Sequence, residues 1–111
     1  MRRGEVWIIA GGGFASKPRP GIIIQDDTVN LESSVTVIPL TTVVSEVGRI
    51  RVPILVPMPD GSERHNFAQV DKITTLKKQN VSKKIGHISL PEMRAIERSL
   101  LAHLGFGSSR R

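Results

Sequence analysis

Arg19 stands between Pro18 and Pro20 in the run Lys-Pro-Arg-Pro-Gly-Ile-Ile-Ile-Gln that spans Lys17 to Gln25. Proline fixes its own φ and pushes the residue before it out of the α region, so both prolines hold the backbone around Arg19 extended. A guanidinium carried on such a stiff strand entrance, beside the glycine-rich loop Gly11-Gly12-Gly13, suits a phosphate. Its planar fork meets two oxygens at once and stays charged at any working pH. Taken alone, the segment fits a plain surface arginine better than a phosphate site. Other candidate groups stand near predicted strand ends: the aromatic Phe14 with Ser16 and Lys17 in the loop before Arg19, Thr41 and Thr42 after a later apolar run, and Gln69 in another. An aromatic ring to stack on, hydroxyls, an amide and cations are what a protein uses to hold an unpaired nucleic-acid strand. Lys72, Lys77 and Lys78 would extend a phosphate-tracking stripe, or simply solvate a surface.

Several chemistries are excluded. The loop has neither the Gly-Lys-Ser/Thr ending of a P-loop nor Gly-x-Gly-x-x-Gly spacing before a helix, and no Gly-x-Ser-x-Gly elbow exists. His65, His87 and His103 lack ligand spacing, and there is no cysteine, so neither a metal nor another cofactor is expected.

The elements that must position these groups follow from periodicity. Short β-rich runs at Glu5–Ala10, Gly21–Gln25, Ser34–Leu40, Ile50–Val56 and Asn66–Ile73 predict strands, with Pro39 and Pro53 pointing to edges or bulges. In the last of these, strict alternation puts Phe67, Gln69, Asp71 and Ile73 on one face. Ser89-Leu90-Pro91-Glu92 is a capping box that opens a helix; Met93, Ile96, Leu100 and Leu104 form its apolar stripe and Gly105 its stop. The tail from Gly107 to Arg111 is expected to fray. Five or six short strands followed by one helix close most economically as a mainly β fold, a small bent antiparallel sheet or barrel plugged by the helix.

At 111 residues the chain makes one domain, and such a domain buries only about 65% of its unfolded surface, so self-association would help it. Sixteen Lys+Arg against ten Asp+Glu give a net charge of +6 and a pI near 10.5, which favours an anionic partner. No segment is long and apolar enough to span a bilayer, no signal peptide is apparent, and a cytoplasmic setting is expected.

The order Arg3-Gly4-Glu5-Val6-Trp7, Arg19-Pro20 ahead of Ile22-Ile23-Ile24-Gln25-Asp26-Asp27, Val37-Ile38-Pro39-Leu40-Thr41-Thr42 and Gln69-Val70-Asp71-Lys72-Ile73 resembles the MazF/PemK (Kid) toxins of type II toxin–antitoxin systems. The likeness extends through Lys84-Ile85-Gly86-His87-Ile88 to the capped helix and covers nearly the whole chain. It implies an SH3-like barrel of the MazF/Kid/CcdB type, a homodimer, and metal-independent cleavage of single-stranded RNA, often mRNA, at a short sequence. It also implies a cognate antitoxin whose acidic, disordered C-terminal segment covers the RNA groove. Carried over by position, Arg19 and Thr41 match the family's catalytic pair, and Gln69 a glutamine of the RNA-contacting strand. The loop from Gly11 to Lys17 matches a mobile loop flanking the site. Two positions depart from the pattern: Gly13-Phe14-Ala15 replaces a Ser-Glu-Gln type stretch, and Ala68 stands where some relatives have a carboxylate, so no proton-accepting carboxylate is carried over. A toxin resembling CcdB, which traps a DNA topoisomerase through protein contacts, and a basic SH3-like binding module are the alternatives; neither requires Arg19 or Thr41.

Overall fold

The computed structural model describes residues 1–11, 15–43 and 50–107, without the side chains of Ala15 and Ser16. Seven strands precede one helix: β1 (Glu5–Gly11), β2 (Ala15–Ile23), β3 (Ser34–Thr41), β4 (Arg51–Pro57), β5 (Glu63–Gln69), β6 (Thr74–Lys77), β7 (Val81–His87) and α1 (Leu90–Leu104). They form one antiparallel sheet in the order β4-β5-β3-β2-β1-β7, with β6 pairing β3. The terminal strands β4 and β7 approach each other, so that a Cβ on Gly86 would fall on the ring of Pro57. The sheet is thus bent nearly into a barrel.

Uninterrupted apolar runs such as Ile22-Ile23-Ile24 arise because the central strands are covered on both faces. Val6, Ile22, Ile38 and Leu40 join Val52, Ile54, Val56, Ala68 and Val70 in the main core, which α1 closes with Met93 and Ile96. Alternate residues of the same strands, Ile9, Ile23, Val35 and Val37, face the other way into a second cluster with Leu76 and Val81, flanked by half-buried Trp7. Burying a full aliphatic side chain stabilises by about 1.5–3 kcal/mol, so these two clusters dominate the cohesion of the fold.

The helix begins as its sequence dictates. Ser89 Oγ accepts from the Glu92 N–H at 3.2 Å, the Glu92 carboxylate accepts from the Ser89 N–H at 2.8 Å, and Gly105 ends the helix in the left-handed region at φ +77°. The other Glu92 oxygen accepts from the Leu55 N–H of β4 at 2.8 Å, tying the helix start to that edge strand. Arg3 anchors the opposite side, donating to Glu97 at 2.8 Å and to the Ile24 carbonyl.

Five expectations need correction. The described residues form seven strands rather than five or six, because β6 has only four residues and the exposed Ser-Lys-Lys run of β7 breaks any clean alternation. β2 starts at Ala15, so Arg19 lies inside the strand rather than at its entrance; residues before Gly21 pair only with β1, and an open edge tolerates Pro18 and Pro20. Pro39 is buried between two neighbouring strands, at the point where β3 exchanges its partner β6 for β5, so its missing N–H falls where the ladder is already interrupted. β5 ends at Gln69 and a 3-10 turn, Val70–Lys72, follows; the two-residue alternation through Ile73 therefore breaks, and Ala68, Gln69 and Val70 are all buried. On α1, Leu104 is 45% exposed and leaves the predicted stripe. Pro53, by contrast, sits on the edge strand β4 as its type requires. The tail residues 108–111 lie outside the described residues.

Candidate active site

β2 and the C-terminal end of β3 form two walls of a cavity of about 220 Å³, and β5 supplies a third. Pro18, Arg19 and Pro20 come from β2, Thr41 and Thr42 from the exit of β3, and Arg64 and Asn66 from β5, with Met58 of the turn between β4 and β5 beside them. Arg19 is exposed; its rigid mounting comes from the two prolines and from pairing with Ile9 of β1. Thr41 is only 6% exposed, and its Oγ1 accepts from the Val43 N–H at 3.2 Å. That bond uses an acceptor lone pair and leaves the hydroxyl proton available as a donor to a ligand. Asn66 is 3% exposed, and its Nδ2 donates to the Arg64 carbonyl at 3.4 Å.

The electrostatics are one-sided. Two guanidiniums share the cavity, and the described lining contains neither carboxylate nor imidazole. Arg51, by contrast, is matched: it grips Asp71 through two bonds of 2.8 and 3.2 Å, and that guanidinium holds the Asp71 carboxyl below its usual range. This positive charge of the cavity, unpaired among the described residues, suits an anion.

The other sequence-predicted residues fall apart from this centre or beside it. Lys17 is exposed on β2, two residues before Arg19. Gln69 is buried opposite Arg51 at the end of β5 and does not line the cavity. Lys72 is exposed in the 3-10 turn and Lys77 at the end of β6, and neither lines the cavity. Phe14 and the side chain of Ser16 lie outside the described residues. His87 borders a larger hollow of about 620 Å³ together with Glu63 and Glu92, away from Arg19 and Thr41. Sequence reasoning missed Arg64 and Asn66. Their signal was the spacing of Arg64, Asn66 and Ala68, two residues apart on one face of a strand, hidden when the strand is begun at Asn66.

The family model for the PemK-like, MazF-like toxin of type II toxin–antitoxin systems matches residues 2–104. The chain belongs to that toxin family. Among relatives of the family, a probable endoribonuclease MazF of Mycolicibacterium smegmatis is 34% identical over 106 residues, covering 95% of this chain and 97% of that one. Endoribonuclease MazF9 of Mycobacterium tuberculosis is 27% identical over 118 residues, covering 97% and 99%. The toxin fold is shared with a mycobacterial endoribonuclease solved in complex with its cognate antitoxin, at TM-score 0.80 and 22% identity over 97% of this chain and 98% of that one. It is shared too with Mycobacterium tuberculosis toxin MazF-mt6, at TM-score 0.77 and 19% identity over 94% and 99%. The antiparallel sheet with its single C-terminal helix is therefore the architecture of MazF toxins.

Proposed function

We propose that this MazF-like toxin is an endoribonuclease that cleaves single-stranded RNA at a short sequence without a metal and thereby inhibits translation and growth. The observation that carries the reading is the meeting of Arg19 and Thr41 in one cavity whose described lining holds no acid. In the reaction the RNA 2′-hydroxyl loses its proton to water as its oxygen bonds to the adjacent phosphorus, the P–O5′ bond breaks and the leaving 5′-oxygen takes a proton from water, giving a 2′,3′-cyclic phosphate and a 5′-hydroxyl end. Arg19 stabilises the charge that builds on the non-bridging oxygens; one preorganised donor of this kind is worth about 2.7–4 kcal/mol in the transition state. Thr41 donates its hydroxyl proton to one of those oxygens. The described lining holds no carboxylate or histidine to take the 2′-hydroxyl proton, in keeping with Ala68 and Asn66 on this stretch of β5. Base selection falls first to Thr42, which lines the cavity; outside that lining, the sequence offers Phe14 for stacking, Ser16 and Gln69 for polar contacts, and Lys17, Lys72 and Lys77 for phosphates along the strand.

The net charge of +6 and the basic cavity support a cognate antitoxin with an acidic segment that occupies the groove in place of RNA. Leu101, Leu104 and Phe106 stand 52%, 45% and 65% exposed at and just after the end of α1 on a small chain, which supports a homodimer; a substrate such as mRNA would be met in the cytoplasm. No helix among the described residues is long and apolar enough to cross a membrane. The test is incubation of purified protein with mixed-sequence RNA in EDTA and mapping of the cut ends. Cuts at a recurring sequence that end in 2′,3′-cyclic phosphate are expected. Intact RNA, or cutting only after a divalent cation is added, would overturn the proposal.

A further inference from the structure

We propose that Arg64 is a second phosphate-binding residue of this cavity, seating the phosphodiester next to the one that Arg19 contacts at the cut. The inference rests on the ribonuclease reading and adds to it the residue that holds the neighbouring nucleotide. Arg64 lies on β5 opposite Val56 of β4 and lines the same 220 Å³ space as Arg19 and Thr41. Its backbone is fixed by the ladder to β4 and by the Asn66 Nδ2 bond to its carbonyl.

Position separates these two arginines from the other cations: they are the two that line the cavity, whereas several of the others are paired. Arg2 pairs with Asp27, Arg3 and Arg94 with Glu97, Arg51 with Asp71 and Lys84 with Glu5. Among the described residues neither Arg19 nor Arg64 forms an ion pair. Asp60, the acid whose charge Arg64 reaches, is already engaged by the Ser62 N–H at 2.9 Å and the Ser62 hydroxyl at 2.6 Å. Two guanidiniums facing one small space repel each other unless an anion lies between or across them. Consecutive phosphates of a single strand are such an anion, with one charge for each fork.

The two mountings imply different tasks. Arg19 is stiffened by Pro18 and Pro20 and is suited to a fixed point where charge develops. Arg64 extends from an exposed position near the turn between β4 and β5 and grips substrate equally before and during the reaction. Its loss therefore raises KM and leaves kcat.

The experiment compares wild type, Arg64→Gln and Arg64→Lys on a cleavable RNA oligonucleotide. Binding of the same oligonucleotide with 2′-deoxy substitution at the cut is measured in parallel from low to moderate salt, and circular dichroism checks each fold. For Arg64→Gln the expected result is a KM and a Kd raised about tenfold, as for one lost charge-assisted hydrogen bond. The magnitude of the salt slope falls by about 0.7, kcat is unchanged, and Arg64→Lys recovers the slope. Unchanged KM, Kd and slope in a folded Arg64→Gln overturns the inference, and a fall in kcat with unchanged KM reassigns Arg64 to the transition state and overturns it too. Failure of wild type to cut RNA would instead sink the ribonuclease reading, while the binding series would still decide whether Arg64 holds a phosphate.

Discussion

Replacing Thr41 with valine removes a hydroxyl at nearly constant shape and so separates what that group does for the fold from what it does for catalysis. In the fold, Oγ1 accepts one bond, from the Val43 N–H at 3.2 Å. Val43 is exposed, so its N–H can turn to water once the acceptor is gone. The stability loss is therefore about 1 kcal/mol, the ordinary net value of one hydrogen bond. For a domain of this size that lowers Tm by about 4 °C. In catalysis the same hydroxyl donates to a phosphate oxygen in a buried setting, where one donor is worth about 2.7–4 kcal/mol, or about a 100- to 1000-fold fall in kcat. Thr41→Ser keeps the oxygen but loses the β-branch that limits the rotamer, and is expected to retain activity within about tenfold of wild type. The assay is steady-state cleavage of a short fluorogenic RNA at 25 °C, with thermal melts of all three proteins. A Thr41→Val protein that melts normally and cuts within about threefold of wild type would refute the reasoning, because a transition-state donor cannot be removed so cheaply.

Two further outcomes test the frame that holds the site. Burial alone would raise the Glu5 carboxyl, but bonds from the Arg2 N–H, the Trp7 indole and Lys84 outweigh it and bring the pKa down from 4.5 to about 2. Since the folded state has the lower pKa, this stabilisation is present above pH 4.5 and is lost as the pH falls from 4.5 through 2; Glu5→Gln should flatten the fall in Tm across that window, and an unaltered profile would show that Glu5 does not govern it. Gly86→Ala puts a Cβ onto the Pro57 ring where β7 meets β4, and urea melts should show a loss of about 1–3 kcal/mol, as overpacking gives; no loss would mean the two edge strands are not in contact.

The parts of the fold legible in sequence were those where one rule acted alone. The core of β1, the run of β3 and the capping box of α1 each carry a period or a cap that tertiary packing had no reason to override. Residues 15–20 were hidden because two prolines within three residues argue against a central strand, and they are compatible with β2 only because one edge of that segment is open. β6 and β7 were obscured by lysines, which mark solvent exposure rather than strand or loop. The 3-10 turn at Val70–Lys72 was invisible because alternation formally continues through it, while the Arg51–Asp71 pair and the buried Val70 turn the chain aside. At the site, the resemblance pointed to Arg19 and Thr41, which share a cavity, and to Gln69, which is buried opposite Arg51 outside that lining. Arg64 and Asn66 were obscured because the first half of β5 is polar, so their two-residue spacing did not stand out as a strand until the pairing with β4 extended it back to Glu63.

The most direct measurement is the cutting of mixed-sequence RNA in EDTA by wild type and by Arg19→Ala, with each end sequenced and its phosphate chemistry assigned. Wild type should cut at a recurring sequence to leave 2′,3′-cyclic phosphate, and a normally folded Arg19→Ala should be slower by about 100- to 1000-fold. Equal cutting by the two proteins would contradict the assignment of transition-state charge to Arg19, and with it the role of the cavity.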